Sequence, residues 1–189
     1  MSLYIYRFMV KKIYSYLFLI FFNVIIGQAL SVPSTKVIHD IKVITFSDLK
    51  NIIEDENDKF LVVNFWATWC MPCVVEIPSF MKINEKYKNN AGYKMILINL
   101  NPVKNIEFVK RFMRKYSIST DVYLLDDLEN MEEWIPSIDP SWEGSIPATV
   151  FYKKGIKILF KEQVLNEKEL DAIISSNVLT VQHSPEIPK

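Results

Sequence analysis

Phe60-Leu61-Val62-Val63-Asn64-Phe65-Trp66 runs straight into Ala67-Thr68-Trp69-Cys70-Met71-Pro72-Cys73. The first seven residues are almost all aliphatic or aromatic, without polar alternation. That is the pattern of a central strand buried on both faces. After a short loop, Cys70 to Tyr87 reads as a helix, with Pro78 inside it and a kink expected there. A helix N-terminus presents unpaired N–H groups and the positive end of the helix dipole. A thiolate held there has its pKa lowered from about 8.5 toward roughly 3.5–7.5, which makes it a nucleophile and a better leaving group. On this reading Cys70 caps the helix and can face solvent. Cys73 lies one turn further on, within reach of a mixed disulfide on its neighbour. Pro72 falls in the first turn, where a missing N–H is tolerated.

These are the only two cysteines in 189 residues, too few for a disulfide-stapled scaffold or an all-cysteine iron–sulfur site. A Cys-x-x-Cys pair can be half of a zinc site, but no second pair exists, and His39 and His183 fall in the linker and the tail. No metal is expected. With four glycines the chain has no phosphate-cradling loop. Lys+Arg and Asp+Glu both count 22, and this neutral balance argues against a nucleic-acid partner.

The neutrality is unevenly spread. Arg7, Lys11 and Lys12 precede an apolar run from Ile13 to Ile26, and Gly27-Gln28-Ala29 follows with small residues at both ends. This is the form of a secretory signal peptide; an uncleaved membrane anchor is the alternative. Removing residues 1–29 leaves 19 basic and 22 acidic side chains, a net charge near −3. The remainder is expected outside the cytoplasm, where cysteines can be oxidised.

Outward from the cysteine segment, strands and helices alternate. Residues 30–40 read as a linker, with a short entry strand within Ser31 to Asp40, and Ser47 as the cap of a helix through Ile53. Lys94–Leu100 and Val122–Leu125 read as further strands, with Asn105–Tyr116 a helix between them. Its apolar Ile106, Val109, Phe112 and Met113 share one face. Asp126–Glu133 is an acidic helix and Ile135–Ser145 a loop. Ala148–Tyr152 and Ile156–Lys161 form a hairpin about Lys153-Lys154-Gly155. Asn166 with Glu169 makes a capping box for a last helix. The fold class is therefore α/β, a mixed sheet with helices on both faces. Residues 41–180 form the domain, and 181–189 a flexible tail.

Phe65-Trp66-Ala67-Thr68-Trp69-Cys70-Met71-Pro72-Cys73 with Glu76-Ile77-Pro78 resembles the active-site segment of thioredoxin-fold proteins, in particular the exported TlpA/ResA-like thiol–disulfide oxidoreductases. Ser145-Ile146-Pro147-Ala148-Thr149-Val150, about 75 residues on, resembles that family's loop with a cis-proline. The resemblance covers roughly Ile41 to Val178. It includes the family's extra strand and helix between the two halves of the fold, around Asn101 to Asp126.

The resemblance implies a redox-active Cys70–Cys73 disulfide as the only cofactor, with Cys70 attacking and Cys73 resolving. It implies that Pro147, in cis, packs beside the pair and keeps it exposed, leaving the Ile146 backbone to pair with an extended substrate. Trp69, Met71 and Pro72 would contact substrate, and Trp66 and Trp69 would shape an apolar rim, plain packing being the other reading of Trp66. Glu76 would be a partly buried acid that tunes the pair and moves protons; the alternative is a solvated helix glutamate. Asn64 stands where ordinary thioredoxins carry a buried aspartate. An amide cannot do that acid–base work, which shifts it to Glu76.

The expected activity is reduction of protein disulfides in the periplasm or at the outer face of the membrane, with a membrane electron donor and a monomeric enzyme. Apocytochrome c before haem attachment is the family's best-known substrate. A net oxidase or isomerase is the rival enzyme, and a binding module with vestigial thiols the non-enzymatic one. Peroxidase chemistry is disfavoured, because its two cysteines usually lie apart. Trp134 and Trp142 could line a groove or pack in the core, and the acidic run could dock a partner or be a solvated helix.

Overall fold

The computed structural model describes residues 40–178. The signal-peptide or anchor segment, almost all of the linker and the tail lie outside the described residues. Among those described, no helix is long and apolar enough to cross a membrane.

Six strands form one sheet: β1 (Lys42–Ile44), β2 (Phe60–Trp66), β3 (Tyr93–Asn99), β4 (Asp121–Leu125), β5 (Ala148–Lys153) and β6 (Ile156–Lys161). Their order across the sheet is β1-β4-β3-β2-β5-β6. The pairs β1/β4, β4/β3 and β3/β2 are parallel, and β2/β5 and β5/β6 antiparallel. Five helices complete the fold: α1 (Phe46–Asp55), α2 (Met71–Tyr87), α3 (Ile106–Lys115), α4 (Met131–Ile138) and α5 (Glu167–Val178). The expected additional strand and helix are β4 and α3. The strand is inserted between β1 and β3, so the parallel part of the sheet has four members.

All seven residues of β2 are buried. Phe60, Val62 and Trp66 meet α2, α3 and α5 on one face; Leu61, Val63 and Phe65 meet α1, α4 and Trp142 on the other. Each fully buried side chain of this size contributes about 1.5–3 kcal/mol, so β2 anchors both layers.

Three boundaries differ from the sequence expectation. The cap of α1 is Thr45, not Ser47. Thr45 Oγ1 accepts from the Asp48 N–H at 3.2 Å and Asp48 Oδ2 accepts from the Thr45 N–H at 2.9 Å, a reciprocal box that Ser47 cannot form. The entry strand is β1, beyond the linker. The acidic run begins as a 3₁₀ turn (Leu128–Asn130), and the helix continues through Pro136 to Ile138, where a loop was expected. Burial of Trp134 and Ile138, four residues apart on one face, outweighs the proline.

The hairpin closes on Lys154 and Gly155, with φ of 52° and 71°, two left-handed residues as a type I′ turn requires. The α5 box is present as expected, Asn166 Oδ1 accepting from the Glu169 N–H at 3.1 Å. At Gly155 an added Cβ would lie 3.3 Å from the Asn57 Cβ, in a backbone conformation L residues disfavour. Gly155→Ala should therefore lower unfolding stability by about 1 kcal/mol in urea titrations, with no change in the redox behaviour of the distant cysteines.

Candidate active site

β2 ends at Trp66 on the edge of the sheet where the parallel strands point, and the chain then turns into α2. The turn is pinned by asparagines at the end of β3. Asn101 Oδ1 accepts from the Thr68 N–H at 2.9 Å, and Asn101 Nδ2 donates to Thr68 Oγ1 at 2.8 Å. Asn99 Oδ1 in turn accepts from the Asn101 N–H at 3.0 Å. The Cys70 N–H closes the turn on Ala67 O at 3.2 Å. Neither asparagine was singled out in the sequence, because each acts through a partner more than thirty residues away or through a loop shape.

Cys70 is the N-cap of α2, and Cys70 Sγ accepts from the Cys73 N–H at 3.2 Å. The two sulfurs are joined in a disulfide. Cys73 is fully buried and Cys70 is 5% exposed. The expectation that Cys70 faces solvent and that Pro147 keeps the disulfide exposed is therefore corrected: only an edge of Cys70 is accessible. The covering group is the loop before β5. Ile146–Pro147 is a cis peptide, Pro147 is buried, and Ile146 O lies 3.5 Å from Cys70 Sγ. That loop is held from behind, with Trp142 Nε1 donating to Ser145 O at 2.9 Å and the Ser145 N–H donating to Glu162 Oε1 at 2.8 Å.

Around this edge Trp69 is 66% and Met71 70% exposed, with Pro72 and Val75 also in solvent. They form an apolar rim at the accessible sulfur. Trp66 is not part of it. It is fully buried, packed against Phe112 at 5.2 Å between ring centres, because it faces the α3 side of the sheet. Trp134 and Trp142 are likewise buried core residues, Trp134 stacked on Phe65 and Trp142 tilted against it.

Glu76 is 1% exposed, so a solvated helix glutamate is ruled out. Its Oε1 accepts from Asn64 Nδ2 at 2.8 Å and its Oε2 from the Leu165 N–H at 3.0 Å. Asn64 Nδ2 also donates to Thr149 Oγ1 at 3.0 Å, across the β2/β5 pair in which the two residues are direct partners. Burial pushes the Glu76 carboxyl up to about 7, against the pull of its two hydrogen bonds. Thr149 and the Leu165 backbone are further site groups that the sequence did not reveal. Strand register and a loop approach from 89 residues away bring them in.

The fold and this site define a class: a thioredoxin-fold protein with a Cys-x-x-Cys disulfide at a helix N-terminus and a buried acid one turn on. Residues 30–160 match the model of the AhpC/TSA family, and the chain belongs to that family. Among curated relatives it is 34% identical over 73 residues to the thiol-disulfide oxidoreductase ResA of Bacillus cereus, covering 36% of this chain and 40% of the relative. To the thioredoxin-like protein YneN of Bacillus subtilis it is 28% identical over 86 residues, covering 45% of this chain and 49% of the relative. The chain thus matches about half or less of the length of those two relatives. A thiol:disulfide interchange protein from Chlorobium tepidum superposes with a TM-score of 0.56 at 24% identity, covering 66% of this chain and 83% of that one. One from a Bacteroides species gives 0.53 at 18% identity, covering 70% and 80%. These superpositions show the fold.

The Glu76 carboxyl generates a pH dependence of stability. Its folded pKa lies above the ordinary value of 4.5, so the folded state binds the extra proton between pH 4.5 and about 7. The stabilisation is complete below pH 4.5 and lost as pH rises to about 7. Unfolding of the oxidised protein should lose about 3 kcal/mol across that window from this group. In denaturant titrations at a series of pH values, Glu76→Gln should flatten this part of the profile.

Proposed function

We propose that the protein is an exported thiol–disulfide oxidoreductase that reduces disulfides of substrate proteins. The observation that carries this reading is the accessible edge of Cys70 at a helix N-terminus, rimmed by Trp69 and Met71 and backed by buried Cys73 and Glu76. The named activity of the ResA relative supports it.

In the reduced protein the Cys70 thiolate, stabilised by the Cys73 N–H and the helix dipole, attacks one sulfur of a substrate disulfide. A mixed disulfide forms and the substrate's other sulfur leaves as a thiolate. Cys73 gives its proton to the Glu76 carboxylate and attacks Cys70 Sγ. The Cys70–substrate bond breaks, and the second substrate sulfur leaves as a thiolate and is protonated from solvent. Two electrons have passed from the protein's dithiol to the substrate, and the Cys70–Cys73 disulfide remains. A carboxyl with a pKa near 7 suits the transfer, since it both takes and releases a proton at neutral pH.

The exposed apolar rim fits a protein substrate better than a small polar thiol, and Ile146 O sits where an extended segment can lie along the loop. Pro147 fixes that loop against the disulfide. The enzyme acts as a monomer and must be recharged by a dithiol donor in the membrane. The basic and apolar N-terminal segment supports location in the periplasm or at the outer face of the cytoplasmic membrane. No cofactor beyond the cysteine pair enters this scheme. Met71-Pro72 between the cysteines lacks the histidine of strong oxidants, which favours the reducing direction, and reduction of apocytochrome c thiols is the family use it fits.

Cys73→Ser protein, incubated with extract of the exported compartment, should accumulate mixed disulfides on Cys70 that dithiothreitol releases. Cys70→Ser should accumulate none. Absence of trapped partners on Cys73→Ser would instead favour a binding module with inert thiols. Equilibration of the pair with glutathione buffers should give a potential nearer about −270 mV than about −120 mV. A value at the oxidising end would reverse the assigned direction.

A further inference from the structure

Asn64 stands on β2 where Glu76 of α2 and Thr149 of β5 meet. Both Nδ2 hydrogens are used, one by Glu76 Oε1 and the other by Thr149 Oγ1. Its Oδ1 is buried and, among the described residues, has no hydrogen-bond partner. Asn64, Glu76 and Thr149 are all at most 1% exposed, so bulk water does not reach in to supply missing bonds.

As it stands, the arrangement suits an ionised Glu76. A carboxylate only accepts, and each of its oxygens has a donor. Once Glu76 takes up a proton, its O–H needs an acceptor. Leu165 presents a backbone N–H, which cannot reverse. The Asn64 side-chain amide can, because a half-turn exchanges Nδ2 and Oδ1 within almost the same volume. In the turned state Oδ1 accepts from the Glu76 O–H and from the Thr149 hydroxyl, which can donate as well as accept. Each state has two hydrogen bonds at this amide and one amide atom unpaired. Their number does not choose between the states, and the proton on Glu76 does.

We propose that Asn64 is a positioning residue for proton transfer at Glu76: its amide turns over as Glu76 takes up a proton and turns back as the proton leaves, with the Thr149 hydroxyl reversing in step. The proposal rests on the reading of Glu76 as proton acceptor for Cys73. A permanent donor at this position would hold Glu76 ionised, and a permanent acceptor would hold it protonated. A reversible amide lets it do both in a site closed to solvent.

The groups facing Glu76 are few. Asn64 comes from β2, with Thr149 of β5 behind it, and the Leu165 N–H from the segment before α5; Cys73 lies one turn back on the same helix. Among the described residues no charged side chain acts on it. In the oxidised protein Cys73 does not titrate.

The test uses the oxidised, ¹³C/¹⁵N-labelled protein in NMR titrations from pH 4.5 to 9. The Asn64 side-chain amide signals should move with the same midpoint as the Glu76 carboxyl carbon. Contacts from the Asn64 amide protons to Thr149 should weaken at low pH. Amide signals and contacts that stay fixed through the Glu76 midpoint would overturn the proposal, with no variant required. Asn64→Leu, close in volume, removes both roles. The Glu76 midpoint should then rise by about one pH unit, because the lost charge-assisted bond to the carboxylate outweighs the lost neutral one. The pH profile of mixed-disulfide resolution should shift upward with it. An unchanged midpoint in the folded variant would also reject the proposal. The titration needs no turnover, so the two readings fail separately. Trapped substrates with an immobile amide reject the amide turnover alone. A turning amide without trapping rejects the oxidoreductase reading and leaves the coupling intact.

Discussion

The complete burial of β2 is the constraint from which the rest follows. A strand covered on both faces and paired on both edges can expose neither side chains nor backbone along its length. Chemistry can only begin where it ends. The strand ends at Trp66, and within four residues the chain has become the cap of α2. The cysteines are thus fixed by the most heavily buried element of the protein, while their outer edge meets solvent. Strand burial also brings the polar exception, Asn64, into the dry layer, where it must be paired. Its partners Glu76 and Thr149 are the groups that give the site its proton chemistry.

Two loops complete what β2 and α2 begin, and each is tied down by hydrogen bonds that have no other evident purpose. Asn101 and Asn99 hold the turn before Cys70. Trp142 and Glu162 hold the loop that lays Ile146 against the sulfur. The aromatic cluster of Phe65, Trp134 and Trp142 on the far face of the sheet therefore positions a carbonyl on the near edge.

Much of this was legible in the residues. A short, nearly unbroken run of β-branched and aromatic residues marks a central strand, and cysteines just past its end fall at the start of the next element. The box at Asn166 and Glu169 and the turn at Lys154-Gly155 are local, and local signals survive folding. What was misread depends on distance. Trp66 reads equally as rim or packing because it adjoins the motif in sequence; strand alternation turns it inward to Phe112. The loop expected after Ile135 is a helix because burial of Trp134 and Ile138 overrides a proline. The approach of the Ile146–Pro147 loop to the cysteines is legible in its motif, but how far it covers Cys70, 76 residues away, is not. Thr45 caps α1 where Ser47 was expected, since either residue type can cap. Only the reciprocal bond from Asp48 separates them.

The covering of Cys70 by a loop so remote in sequence means that the sulfur's environment exists only in the folded chain. In an unfolded chain Cys70 and Cys73 would be two ordinary thiols beside a hydrated glutamate. By the closure of a thermodynamic cycle, whatever the fold does to the affinity of this pair for electrons must reappear as a difference in stability between its oxidised and reduced forms. The protein's fold is in this sense a store of redox free energy, charged or discharged each time the disulfide opens.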